Sequence, residues 1–182
     1  MLHNHITFPG AIESIVPDFL EIIKNLKPKS SPVMGVNHAV DVEWYGGGYV
    51  SDIENHIYYY FKRANNLNFG YNINNVDAIR LEHYKKGGWF APRLEQNFFK
   101  QNYTDRKLTC VINLNPPFDP NIAGGKIILT DANGHTNQID EIFYQKTGAI
   151  TVFSSFQKYS IEEIKADELK YLWGFCAGPK WK

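Results

Sequence analysis

Apolar residues recur at helical spacing near the start of the chain, with Ile12, Ile15, Val16, Phe19, Leu20, Ile23 and Leu26 on one stripe. Pro17 lacks an amide hydrogen and clashes inside a helix, so the helix either starts near it or kinks there. Lys27-Pro28-Lys29 predicts its end. A strand-like stretch over residues 33–45 breaks at Gly46-Gly47-Gly48, which marks a loop. No Lys-Ser/Thr follows those glycines, so they do not make a phosphate-binding loop. Ser51-x-x-Glu54 has the form of a capping box, and Ile53, Ile57, Phe61 and Ala64 then line one face of a second helix.

Beyond Asn68 the period changes from helical to alternating. Strands are predicted over residues 69–73, 76–85, 107–114, 125–130, 138–144, 149–153, 159–164 and 169–175. Turn formers separate them: Asn74-Asn75, Asn115-Pro116-Pro117, Asn133-Gly134 and Thr147-Gly148. Two helices followed by a series of short strands predict a mainly β domain, a jelly roll or double-stranded β-helix with a helical buttress. Residues 1–182 read as one domain, with a helical part at 1–66 and a β-core at 67–182.

Composition narrows the functional classes. Lys+Arg and Asp+Glu balance at 19 each, so no excess of positive charge drives counterion release from nucleic acid or attraction to an anionic membrane. The cysteines, Cys110 and Cys176, are far apart and lie in apolar surroundings, which makes neither a disulfide framework nor a zinc site. No basic segment followed by an apolar core opens the chain, and its apolar runs are too short to span a bilayer. A cytoplasmic setting is expected, or a virion if the source is a phage. The cluster Asn65, Asn66, Asn68, Asn72, Asn74 and Asn75 hints at an AT-rich genome of the phage kind.

Several segments occur in a telling order. Ala64-Asn65-Asn66-Leu67-Asn68-Phe69-Gly70-Tyr71 follows the second helix, and Tyr84-Lys85-Lys86-Gly87-Gly88-Trp89-Phe90 closes a strand. Arg106-Lys107-Leu108-Thr109 then leads to Leu114-Asn115, and Gly124-Gly125 opens the next strand. Gly148 through Ser155 holds a Phe-x-Ser element, and Gly174-Phe175-Cys176-Ala177-Gly178-Pro179 comes near the end. From Ile53 to Pro179 the chain thereby resembles the prolyl 4-hydroxylase-like branch of the iron and 2-oxoglutarate dioxygenases.

That resemblance implies a ferrous ion held by His-x-Asp/Glu and a distal His, with open positions for 2-oxoglutarate and oxygen. Here the three ligand positions fall on Arg93, Glu95 and Tyr159, so only the carboxylate is kept in kind. An arginine does not lose its proton to ligate a metal. Of the 2-oxoglutarate positions, Tyr84 is kept, whereas the basic one falls on Leu169, with Lys170 adjacent but on the opposite face of a strand. The histidines present (His3, His5, His38, His56, His83, His135) form neither His-x-Asp nor His-x-x-x-His.

Arg93 and Glu95 have three readings. They pair with each other or with Tyr159 and fill the old pocket; or Pro92 ends the strand and both lie in solvent; or Arg93 captures an anion. Trp89, Phe90, Phe98, Phe99 and Tyr103 either pack on a sheet edge or form an interaction surface. The expectation is a catalytically inactive binding or structural module, of a phage virion or its assembly if the source is a phage, that holds no metal and uses no cofactor. Its expected partners are proteins or copies of itself. The alternative is an active prolyl or other side-chain hydroxylase with unusual ligands, using Fe2+ and 2-oxoglutarate.

Overall fold

The structure, a computed structural model, describes residues 4–25, 39–46, 51–95 and 104–180. Along the chain run β1 (His5–Phe8), a 3-10 turn (Glu13–Ile15), α1 (Val16–Lys24), β2 (Val40–Gly46) and α2 (Ser51–Ala64). A π-helical turn (Asn65–Phe69), β3 (Asn75–Lys85), β4 (Phe90–Arg93), β5 (Thr104–Asn113) and α3 (Pro120–Ala123) come next. They are followed by β6 (Ile127–Thr130), β7 (Thr136–Gln138), a 3-10 turn (Glu141–Phe143), β8 (Ile150–Ser154), β9 (Lys158–Ile161) and β10 (Glu168–Pro179).

The strands form a six-stranded sheet in the order β1-β8-β5-β10-β3-β2 and a four-stranded sheet in the order β4-β9-β6-β7. All named pairings are antiparallel. This is the double-stranded β-helix that the alternation predicts. Residues before 66 supply β1 and β2 to the larger sheet as well as the two helices. Among the described residues no helix is long and apolar enough to cross a membrane.

The core has two layers. Val16, Phe19 and Ile23 of α1 and Ile53, Ile57, Phe61 and Ala64 of α2 pack with Ile79, Leu108, Cys110, Ile112, Val152 and Leu172 on the outer face of the larger sheet. Each large apolar side chain so buried contributes roughly 1.5–3 kcal/mol. Pro17 sits in the first turn of α1, where its missing N–H costs nothing, so the helix starts there and does not kink. Gly174 of β10 lets α2 approach the sheet, since a Cβ there would meet Ile57 Cγ2 and Cys110 Sγ, each at 2.9 Å. The second layer fills the space between the sheets with Tyr84, Phe90, Phe153, Tyr159, Tyr171, Trp173 and Phe175 among others.

Two predicted strands are absent. Residues 69–73 are non-strand because the Asn65 side chain accepts the Tyr71 N–H and donates to the Tyr71 carbonyl, both at 2.8 Å. The π-helical turn closes on Gly70, left-handed at φ 67°, which donates its N–H to the Asn65 carbonyl. A local side chain thus captures backbone groups that a strand would need. Over residues 138–144 only Gln138 is in a strand, and the 3-10 turn tucks Phe143 and Tyr144 fully inside. The predicted helix end at Lys27-Pro28-Lys29, residues 33–38 and Gly47-Gly48 lie outside the described residues.

Candidate functional site

β3 runs between β10 and β2 in the larger sheet, with the helix layer packed on one face and the second sheet on the other. Alternation puts Ile79 and Leu81 against the helix layer and Ala78, Arg80, Glu82 and Tyr84 between the sheets. A bulge at Asp77 changes the register against β10, which turns Val76 to the helix layer. Two charged side chains are therefore built into the middle of the sandwich. Arg80 and Glu82 are both 0% exposed.

Opposite them, β4 and the residues after it bring Arg93 and Glu95, and β9 brings Tyr159, which lies across from Arg93 in the register. Glu95 is the meeting point. Its Oε1 takes a hydrogen bond from Arg80 Nη1 at 2.8 Å and from the Tyr159 hydroxyl at 2.6 Å, with Arg93 Nε at 3.1 Å. Its Oε2 accepts from Arg106 Nη1 at 3.3 Å and Arg93 Nη2 at 3.5 Å. Arg106, on β5, also holds Asp77 through Nε at 2.8 Å. Arg80 Nη2 donates to the Tyr159 hydroxyl.

Glu82 anchors the other end of Arg80. Arg80 Nε and Glu82 Oε1 meet at 2.8 Å as an ion pair without hydrogen-bond alignment, since both side chains leave one strand two residues apart. Glu82 Oε2 accepts from the Tyr84 hydroxyl at 2.7 Å and from Trp173 Nε1 at 2.6 Å. Around the guanidinium stand the rings of Trp44, Phe175, Phe90 and Trp173, with centroids 4.8, 5.1, 5.4 and 5.4 Å from Cζ. Trp173 stacks on Tyr159 at 4.5 Å, and Phe90 stacks on Tyr159 at 5.5 Å.

Electrostatics follow from this packing. Burial pulls the Arg80 guanidinium down, but Glu82, Tyr159 and Glu95 outweigh it and hold the group well above its usual value. Burial pushes the Glu95 carboxyl up, and Arg80, Arg93 and the Tyr159 hydrogen bond bring it below the ordinary glutamate value. Glu82 has Arg80 as its near cation and ends up raised, with burial the largest cause. Burial, joined by the neighbouring carboxylates, also lifts the Tyr159 phenol well above its normal range. At neutral pH the site is a charged network closed on itself.

The positions read from the sequence can now be placed. Arg93, Glu95 and Tyr159 come together, and Glu95 is buried despite Pro92, so the solvent reading does not hold for it. Arg93 lies at the rim with its side chain 28% exposed. Tyr84 and Leu169 face each other across β3 and β10, both buried. Lys170 pairs in register with His83 on the other face and reaches Glu168 at 3.4 Å. Phe90 is core, 1% exposed, whereas Trp89 is 41% exposed. Phe98, Phe99 and Tyr103 lie outside the described residues. Sequence reasoning missed Arg80, Glu82, Trp173 and Arg106 as members of the site.

Together the facing sheets, the helical buttress and the clustered positions define the fold of the prolyl 4-hydroxylase-like iron and 2-oxoglutarate oxygenases. A prolyl 4-hydroxylase from Pseudomonas putida superposes with a TM-score of 0.70 at 15% identity, over 98% of this chain and 94% of that one. A 2OG-Fe(II) oxygenase family protein from Burkholderia pseudomallei gives 0.70 at 16%, over 98% and 89%. A viral collagen prolyl hydroxylase from Paramecium bursaria Chlorella virus-1, in its 2OG complex, gives 0.67 at 16%, over 97% of each chain. No protein-family model and no curated protein matches the sequence.

These neighbours correct the expectation that no cofactor belongs here. The Burkholderia protein is a 2OG-Fe(II) oxygenase by name and the viral hydroxylase is in a 2OG complex, and they point to Fe2+ and 2-oxoglutarate as the cofactors that go with the fold. The side chains present do not fit a ferrous ion in the usual way. A guanidinium is no donor to a metal, the Tyr159 phenol holds its proton, and both Glu95 oxygens are taken. Among the described residues no group of three or more His, Cys, Asp or Glu side chains is placed to hold a metal ion.

Proposed function

We propose that this chain is a catalytically inactive binding or structural module on the oxygenase scaffold, with a protein or a second copy of itself as partner. Its setting in this reading is a phage virion or its assembly. One observation carries the proposal: the Glu95 carboxylate is engaged by Arg80, Arg93, Arg106 and Tyr159, so the group that would serve chemistry serves internal cohesion. Function lives in the site and not in the fold, and this site is closed by its own side chains. Exposed Trp89, beside the segment that carries the site, supplies the apolar contact a partner needs.

The testing experiment supplies Fe2+, 2-oxoglutarate, ascorbate and oxygen to the purified chain and measures succinate. The expected yield equals that of Glu95→Ala. Succinate above that level overturns the proposal in favour of a second reading, a hydroxylase with unusual ligands, which the names of the structural neighbours favour.

A further inference from the structure

The surroundings of Arg80 have the composition of a receptor for a planar cation. Carboxylates lie on two sides, Glu82 at 2.8 Å from Nε and Glu95 at 2.8 Å from Nη1. A phenol, Tyr159, takes Nη2. Rings of Trp44, Phe175, Phe90 and Trp173 close the remaining directions at 4.8–5.4 Å. Aromatic cages attract cations through the ring quadrupole, and the attraction grows once water is excluded, as it is here. Arg80 and all its partners among these except Trp44 are buried.

We propose that this shell is a guanidinium-binding site occupied in cis by Arg80, so that Arg80 is the resident cation of the pocket. The inference rests on the reading of the pocket as closed by its own side chains. Three features select a guanidinium over another cation. Oxygen acceptors take hydrogen bonds from both terminal nitrogens, and a carboxylate oxygen lies 2.8 Å from Nε as an ion pair, which suits the spread charge and paired donors that only this group presents. Rings flank it, which suits a delocalised and weakly hydrated plane. Both carboxylates come from positions fixed by strands and their immediate continuation, so the shell has a preset shape and needs little ordering by the ligand. Truncating Arg80 at Cβ therefore leaves a cavity with two carboxylates and an aromatic wall, open to a small guanidinium from solution.

Chemical rescue tests this. Arg80→Ala is expected to melt on the order of 10 °C below the unaltered chain, because it strands two buried carboxylates. Methylguanidinium, at millimolar concentrations far below denaturing ones, is expected to raise its melting temperature roughly 3–6 °C at a tenfold excess over Kd. N-methylurea, of similar shape but neutral, is expected to leave it unmoved, as is methylguanidinium on the unaltered chain. Adding Glu95→Gln to Arg80→Ala is expected to weaken rescue at least tenfold. No rescue of folded Arg80→Ala, or equal rescue by N-methylurea, overturns the proposal. Should Arg80→Ala not fold, refolding yield with either additive replaces the melt, and the same difference decides. None of these melts depends on turnover, so succinate formation by the unaltered chain would sink the inactive-module reading without touching this one.

Discussion

Replacing Glu95 by Gln keeps the shape of the side chain and removes the charge shared by Arg80, Arg93 and Arg106. At 2.8 Å and an effective dielectric near 20, the Arg80 pair alone is worth about 6 kcal/mol of gross attraction, from 332/(20 × 2.8). Arg93 and Arg106 add less, since their side chains are 28% and 14% exposed and water screens them. Against this stands the cost of desolvating a carboxylate that is 1% exposed, several kcal/mol. The net loss on breaking such a pair is about 3–5 kcal/mol. For a domain of this size that lowers the melting temperature by about 6–20 °C, read by circular dichroism at pH 7. Because the folded state holds the Glu95 carboxyl below its unfolded value of about 4.3, its stabilisation is fully present above that pH. It is lost as pH falls through the lowered folded value, so the gap between the two proteins must narrow on acidification. Glu82 has the opposite sign: its raised carboxyl favours folding below about 4.3 and loses that contribution as pH rises through its folded value. Burial, the largest cause of that rise, is common to both proteins; the Glu95 charge is a smaller cause, so Glu95→Gln eases the Glu82 shift and offsets only part of the narrowing. A drop under about 3 °C at pH 7, or a gap that does not narrow in acid, would refute the account of Glu95 as the hub.

Three further outcomes are expected. Tyr159→Phe removes the hydroxyl that links Arg80 to Glu95, and urea titration should show a loss of about 1–3 kcal/mol with an unchanged slope. Gly174→Ala forces a Cβ against Ile57 and Cys110 at 2.9 Å, so it should destabilise by about 1–3 kcal/mol and perturb the packing of α2 in near-ultraviolet dichroism. Burial holds the Cys110 thiol far above its usual range and pushes Cys176 up to about 12, so neither should react with a thiol reagent at pH 8 until the chain unfolds.

Much of the fold was legible because local signals agreed with one another. The stripe Ile53, Ile57, Phe61 and Ala64 buried as its spacing demands, and Pro17 marked the start of α1. The strand read at residues 69–73 failed because Phe69-Gly70-Tyr71 alternates like a strand while Asn65, four residues earlier than Phe69, binds the backbone of Tyr71. The 3-10 turn at Glu141–Phe143 was hidden for a related reason. Buried Ile139, Phe143 and Tyr144 give the same apolar density in a turn as in a strand.

The site was half legible, and the missing half has a physical cause. Arg93 and Glu95 were found because Tyr84, Gly87 and Phe90 fix the register before them, and Tyr159 by its spacing past the Phe153-Ser154-Ser155 element. Arg80 and Glu82 alternate with Ile79 and Leu81, a pattern that ordinarily marks the wet face of a strand. The face of β3 that carries Arg80 and Glu82 is the dry one, because the second sheet lies against it. A signal was nevertheless available. Tyr84 was placed inward, and a period of two carries Glu82 and Arg80 inward with it. Charge makes the same demand from the other side. Once Glu95 is inside, a buried carboxylate requires a cation, and Arg93, its neighbour in sequence, stays at the rim. The cation had to come from another strand. Parity with Tyr84 singles out Arg80 within β3, whereas Arg106 on β5 reaches only the outer oxygen and divides its charge with Asp77.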